Sequence, residues 1–273
     1  MSTVYDVAVV GSGGFLGSAI TAALTARGAN VGGFTKDRPF TGGASAVVWA
    51  AGHVTPVNTD AGDRALADLA GLIEIARRSA HPTHVILLSS GGAVYGPPAT
   101  APFSEEDEPT PANEYGRIKF AEEQLLSDSD VPHTVLRVAN PYGPGQTGAT
   151  QGVLGAWLRA VRDGQPVTLF GDGSAVRDYV FIDDFAAAAA AAAERLPGGV
   201  INIGSGEGTS LAELLDIVTD AVAPIPVEVR REPSRGIDAP AVWLDVTRAR
   251  ETLDWTATTP LAEGIARTWE AIK

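Results

Sequence analysis

Apolar residues fall along this chain in two alternating textures. Short β-rich runs at Val4–Val10, Val31–Phe34, Val47–Ala50, His84–Ser89 and Thr134–Val138 are separated by helically spaced stretches at Leu16–Arg27, Arg64–Ala80 and Glu114–Leu126. That alternation predicts an α/β fold, a doubly wound parallel sheet with crossover helices. After Pro141 the texture changes to Gly- and Pro-punctuated loops. A helix is expected near Val153–Arg162, a strand near Val167–Phe170, and further pieces at Val200–Ile203, Leu211–Ala221 and Val227–Val229. These segments read as a smaller lobe over the carboxyl edge of the sheet, with some of them returning to extend it.

One connection is short. Eleven residues separate Phe34 from Ala46, and they include Pro39 and the Gly42-Gly43 pair. A parallel crossover with its own helix needs more chain than that. The third strand and helix of the first half-sheet are therefore expected to be missing or shortened.

The first strand runs into Gly11-Ser-Gly13-Gly14-Phe15-Leu16-Gly17, three glycines at three-residue spacing between a strand and a helix. Such a loop provides a tight turn, a close backbone approach to a pyrophosphate and a helix N-terminus facing the negative charge. It marks the sheet as Rossmann-like and Gly11, Gly13, Gly14, Phe15, Leu16 and Gly17 as candidate dinucleotide contacts, with Ala50, Ala51, Gly52, Ser89 and Pro141 from later strand ends. At the end of the second strand an acidic residue would bind the ribose diol of NAD, and a cation the extra phosphate of NADP. Here stand Thr35, Lys36, Asp37 and Arg38. Thr35, Lys36 and Arg38 favour NADP(H), with NAD(H) the alternative if Asp37 takes the diol.

Tyr115 and Lys119 lie four apart on a predicted helix, hence on one face. An adjacent ammonium stabilises a phenolate, so Tyr115 can exchange a proton with a sugar hydroxyl or ketone while a nicotinamide exchanges hydride.

Ser89-Ser90-Gly91-Gly92-Ala93-Val94-Tyr95-Gly96, the Tyr115/Lys119 pair, Arg137-Val-Ala-Asn140-Pro141-Tyr142-Gly143 and Gly171-Asp-Gly173…Arg177-Asp178 occur in order along nearly the whole chain. With Asn202-Ile-Gly204 and Arg235-Gly-Ile-Asp238 they resemble the extended short-chain dehydrogenase/reductase family around UDP-galactose 4-epimerase. The resemblance implies a Rossmann domain over 1–145 and a mostly nucleotide-sugar-binding lobe over 146–273. It assigns Asn140, Arg177, Arg235 and Asp238 to a nucleotide-sugar substrate and places Pro141 beside the nicotinamide. It also implies a homodimer through the helices at 64–80 and 114–126, although core packing accounts equally well for their apolar faces. The family's serine or threonine hydroxyl falls on Gly91; either Ser90 supplies it through a shifted backbone or a water does.

The implied activity is a nucleotide-sugar 4-epimerase. The alternatives are an NADPH-dependent reductase of 4-keto-6-deoxy nucleotide sugars, using the same residues, and a non-catalytic dinucleotide sensor, which the Tyr115/Lys119 pair argues against. A 4,6-dehydratase would carry an acid/base pair where Gly92-Ala93 stands.

Composition narrows the field further. There is no cysteine, and the four histidines lack ligand spacing, so no metal site is expected. A formal charge of −13 argues against sequence-independent nucleic-acid binding. The alanine tract Ala186 to Ala193 is too short to span a bilayer. The N-terminus lacks a basic region and an apolar signal core, so the expected location is cytoplasmic.

Overall fold

The structure is a computed structural model of one chain and describes residues 5–79, 82–96, 100–146, 152–234 and 240–273. The first half runs β1 (Tyr5–Val10), α1 (Phe15–Ala26), β2 (Val31–Phe34), β3 (Ala44–Trp49), α2 (Gly62–Arg77), β4 (His84–Ser90), the short α3 (Gly91–Val94), α4 (Glu114–Ser127) and β5 (His133–Val138). The second half runs β6 (Asn140–Tyr142), α5 (Val153–Arg162), β7 (Val167–Phe170), β8 (Val176–Arg177), β9 (Tyr179–Phe181), α6 (Ile182–Arg195) and β10 (Gly199–Ile203). It continues through β11 (Thr209–Ser210), α7 (Leu211–Val222), β12 (Val229–Glu232), β13 (Ala241–Val242), α8 (Thr247–Leu253) and α9 (Leu261–Ile272).

Six strands form the central sheet in the order β10-β5-β4-β3-β1-β2, every neighbouring pair parallel. The shortened connection after β2 has the expected consequence. The chain passes from β2 straight to β3 on the other side of β1, and β2 is left as the sheet edge. At the opposite edge β10 returns from the second half and pairs with β5, Asn202 opposite Arg137.

Alternate side chains separate the two faces, as the period of a strand requires. Val7 and Val9 face a core shared with Ile20 and Leu24 of α1 and the alanines of α6. Ala8 and Val47 face a core with Leu69, Leu72 and Ile73 of α2 and Leu126 of α4. The alanine tract forms most of α6, which packs against α1. Small side chains let the two helices approach closely, and Ala188, Ala189, Ala190 and Ala192 are fully buried. No described helix is long and apolar enough to cross a membrane.

The second half carries its own small sheets, β11-β8-β13, β12-β7 and β6-β9. Asp178, between β8 and β9, is the buried anchor of this region. It accepts hydrogen bonds from the Ser205 N–H and hydroxyl, both 2.7 Å, and from the amides of Gly206 and Leu244 at 3.2 and 3.3 Å. Burial pushes its carboxyl up in pKa, and those four donors oppose the shift.

Candidate active site

Two glycines shape the turn after β1 and a third leaves it open. Gly11 has φ +93°, and a Cβ there would lie 2.6 Å from the Ala50 oxygen, so the end of β3 can close against the loop only without a side chain. A Cβ on Gly17 would collide with the Gly11 carbonyl, which explains why α1 needs glycine to start so close to the strand. Gly14 differs: its φ is −84°, and its nearest neighbour at a built Cβ is 3.4 Å away. Among the described residues nothing forbids a side chain at Gly14, and Gly13 likewise has only Thr35 Cγ2 at 3.8 Å. Both are exposed beside the start of α1, which has no side-chain cap and no acidic residue in its first turn. Open backbone before unsatisfied helix N–H groups fits a pyrophosphate. Phe15 and Leu16 open the helix half-buried, and Gly52 beyond β3 faces open space.

The end of β2 corrects one expectation. Thr35 and Arg38 close a tight turn through two backbone hydrogen bonds of 3.0 Å, which leaves Thr35 and Lys36 exposed. The Arg38 guanidinium instead lies over the Phe34 ring, 5.3 Å from its centroid, and donates to the Tyr5 hydroxyl at 3.1 Å. Phe34 belongs to the core on the α2 side of the sheet, whereas Gly33 faces Ser12 of the glycine loop. Arg38 is thus turned away from the loop, and of the two cations only Lys36 remains a candidate.

Tyr115 and Lys119, the candidate catalytic pair, sit on α4. Asn113 caps this helix by accepting from the Gly116 N–H at 2.9 Å, which fixes the first turn and with it Tyr115. One turn on, Lys119 is buried; its Nζ donates to Glu122 at 2.8 Å and to the Leu88 carbonyl at 3.3 Å. Burial alone would drive this ammonium towards neutrality. The Tyr115 side chain in its phenolate form and the Glu122 and Glu123 carboxylates outweigh that effect and hold it above the usual lysine range.

A cavity of about 180 Å³ brings the expected polar groups together. Tyr115, Ser90, Asn140 and Arg177 all line it, together with Asn113 and a set of small or apolar residues that includes Pro56, Gly92 and Ala112. Asn140 is oriented by donating its amide to the Asp178 carbonyl at 2.8 Å, and Arg177 by a 2.7 Å bond to the Val176 carbonyl. Gly91 points elsewhere: a Cβ there would lie 2.7 Å from Leu244 and 3.2 Å from the Arg137 carbonyl, inside the core. A hydroxyl at position 91 would not reach the cavity, while Ser90 borders it.

Ser89 is buried and its hydroxyl donates its proton to Glu123. Glu123 also receives the Arg137 guanidinium, at 2.7 Å from Nη2 and about equally through Nε to both oxygens at 3.2 and 3.1 Å. Arg137 donates onward to the Tyr95 hydroxyl at 2.9 Å, and Tyr95 to Asn202 at 2.9 Å. This buried chain joins β4, α4, β5 and β10 behind the cavity. The sequence signalled Arg137, Tyr95 and Asn202 only as motif members, and the pairing that makes them structural is a long-range fact. Pro141, in β6, is half-buried and its carbonyl accepts from Gln146 at 3.3 Å. Arg235 and Asp238 lie outside the described residues. Among the described residues no cluster of potential metal ligands occurs.

The model of the NAD dependent epimerase/dehydratase family matches residues 43–204. The chain belongs to this family. A UDP-glucose 4-epimerase of Mycolicibacterium smegmatis is 39% identical over 216 residues, 76% of this chain and 68% of that protein. Several other epimerase/dehydratase relatives are matched over less than two thirds of their length, 61% to 64%. A dTDP-6-deoxy-L-talose 4-dehydrogenase (NAD(P)(+)) of Kitasatospora kifunensis is 29% identical across 97% of this chain and 95% of its own. The crystal structure of a Thermus thermophilus UDP-glucose 4-epimerase in complex with NAD superposes with a TM-score of 0.84 at 27% identity, over 97% of this chain and 98% of that one. The α/β fold with its parallel sheet is thus that of the epimerase/dehydratase enzymes, an NAD-dependent hydride-transfer family.

Proposed function

We propose that this chain is a nucleotide-sugar 4-epimerase that works by hydride transfer at sugar C4. One observation carries the reading: Ser90, Tyr115, Asn140 and Arg177, supplied by four separate segments, line a single cavity. A bound nicotinamide dinucleotide would supply the hydride acceptor and donor. Gly11, Gly13, Gly14, Phe15, Leu16, Gly17, Ala50, Ala51, Gly52 and Pro141 would hold it, the loop amides taking the pyrophosphate. Tyr115 Oη removes the C4 hydroxyl proton and later returns it, Lys119 holds a positive charge beside the phenol, and Ser90 Oγ fixes the reacting oxygen. Arg177 and Asn140 bind the diphosphate, with Arg235 and Asp238 as further ligands of the nucleotide.

The open edge beside β2 favours a second reading of the same site, an NADPH-dependent 4-ketoreductase. An epimerase has to retain its cofactor, but among the described residues no third strand stands beside β2 to cover the adenosine half, and exposed Thr35 stands where the resemblance expects an Asp that would select NAD, with exposed Lys36 beside it. Lys36→Ala should then raise the KM for NADPH several times more than that for NADH; equal effects would remove the case for NADP(H). A homodimer and cytoplasmic residence belong to the proposal as well. The two readings separate on mass spectrometry of the protein purified from its host. Stoichiometric NAD+ with interconversion of UDP-glucose and UDP-galactose, without added cofactor, makes it the epimerase. Loosely held NADPH and no interconversion makes it the reductase.

A further inference from the structure

Lys119 and Glu122 form an ion pair that is almost wholly enclosed, their side chains 9% and 2% exposed and their charged atoms 2.8 Å apart. A buried pair gives back in attraction about what it loses in desolvation, so folding stability alone is a weak reason to place one inside α4. Its position is informative, because the cation is the lysine one turn from Tyr115. The other titratable groups around it have separate partners. Glu123, next on the helix, is occupied by Arg137 from β5 and by the Ser89 hydroxyl from β4. From α2 the buried side is Ala65, Leu69 and Leu72, while its Asp63, Arg64 and Asp68 are exposed. Tyr115 is the remaining titratable neighbour of the ammonium. Glu122 is therefore the carboxylate committed to Lys119.

We propose that Glu122 is a positioning residue for the proton-transfer step, fixing the Lys119 ammonium against the Leu88 carbonyl and moderating the field that Lys119 exerts on Tyr115. The inference rests on the roles given above to Tyr115 and Lys119. An ammonium has three donors on a flexible stem; the Glu122 carboxylate and the Leu88 carbonyl hold two of them and so fix its distance from the phenol. A nearby negative charge favours the protonated form of every group around it, Tyr115 and Lys119 alike; with Glu123 still beside the ammonium to keep it charged, removal of the Glu122 charge lets the phenolate form at lower pH.

The test is Glu122→Gln, nearly isosteric, in the full-length protein. Two readouts are needed: the pH dependence of kcat on UDP-glucose, and the ultraviolet difference titration of the Tyr115 phenolate, with Tyr115→Phe subtracted. The expected result is an acid shift of both midpoints by at least about half a pH unit, with kcat falling more than KM rises. Unchanged midpoints, or a shift towards alkali, would overturn the proposal. If the wild type shows no turnover while the phenolate titration still shifts, the activity reading fails and the positioning role stands. Should Glu122→Gln not fold, Glu122→Asp carries the test: with the charge kept and the reach shortened, the midpoint stays at the wild-type value and kcat falls. A moved midpoint with unchanged kcat would overturn it.

Discussion

Gly14 caps the glycine loop and Gly17 lies in the first turn of α1 three residues on, yet the structure gives them opposite reasons to be glycine. Gly17→Ala would press a methyl group into the Gly11 carbonyl and should cost about 1–3 kcal/mol of folding stability. Gly14→Ala has room within the protein and should change stability by less than about 0.5 kcal/mol. It should nevertheless weaken dinucleotide binding at least about tenfold, because the methyl group occupies the anion's approach. Chemical denaturation with fluorescence titration of NADH separates the two effects; unimpaired binding by Gly14→Ala would remove the loop from the cofactor site. The glycine motif and the Tyr115/Lys119 pair could be singled out from spacing, and Asn140 and Arg177 only through the family resemblance; the structure brings Tyr115, Asn140 and Arg177 to one cavity. Side-chain direction was not legible. Arg38 is claimed by the nearby Phe34 ring and by the Tyr5 hydroxyl 33 positions away, and Ser89 by Glu123, 34 positions away.

Strands and helices were legible in proportion to their length and burial. β7 and α5 fall at Val167–Phe170 and Val153–Arg162 as expected. β3 starts at Ala44, before the expected Val47, since Ala44 and Ser45 are too small and too polar to extend an apolar run, and pairing with β1 decides their state. β12 runs Val229–Glu232, beyond the expected Val227–Val229, because parallel pairing with β7 recruits Arg230 and Arg231 into a strand their side chains do not announce. β6, β8, β9, β11 and β13 are two or three residues long and leave no periodicity to read. The helix α9 is legible in principle, since Leu261, Ile265 and Trp269 recur every four residues. The buried chain through Ser89, Glu123, Arg137, Tyr95 and Asn202 ties β4, α4, β5 and β10 together behind the cavity. Glu123→Ala would leave the Arg137 guanidinium buried and unpaired, with its own side chain 5% exposed. The expected loss is about 3–5 kcal/mol in urea denaturation. A loss below about 1 kcal/mol would mean that the network relaxes and that the strand ends are held by other contacts.

Across the whole molecule, β2 is the open edge and β10 the returning edge, and His84 reports how well that assembly holds at low pH. His84 begins β4 and bonds Thr134 of β5 at 2.8 Å, while Thr134 also accepts from the Gly198 N–H at 3.2 Å just before β10. Burial, with a smaller contribution from His133, lowers the His84 pKa from 6.5 to about 4. The unfolded chain therefore binds the extra proton first, and the stability present above pH 6.5 is lost as the pH falls towards about 4. His84→Asn should flatten the difference in unfolding free energy between pH 7 and pH 4.5, whatever it does to stability at pH 7. An equal pH dependence in wild type and variant would show that His84 is not the group that titrates. The acidic balance of −13 is distributed so that the cavity still holds Arg177, the local cation that an anionic substrate needs.

Hydride transfer at the sugar C4 with Tyr115 carrying the proton is the claim on which the rest depends. The direct measurement is turnover of the purified full-length chain, followed as interconversion of UDP-glucose and UDP-galactose and as NADPH-dependent reduction of a 4-keto-6-deoxy nucleotide sugar, in wild type and Tyr115→Phe. The account predicts activity in one of the two assays and a loss of at least about 100-fold in the variant, with the dinucleotide still bound. Turnover by Tyr115→Phe within a few-fold of wild type would contradict it.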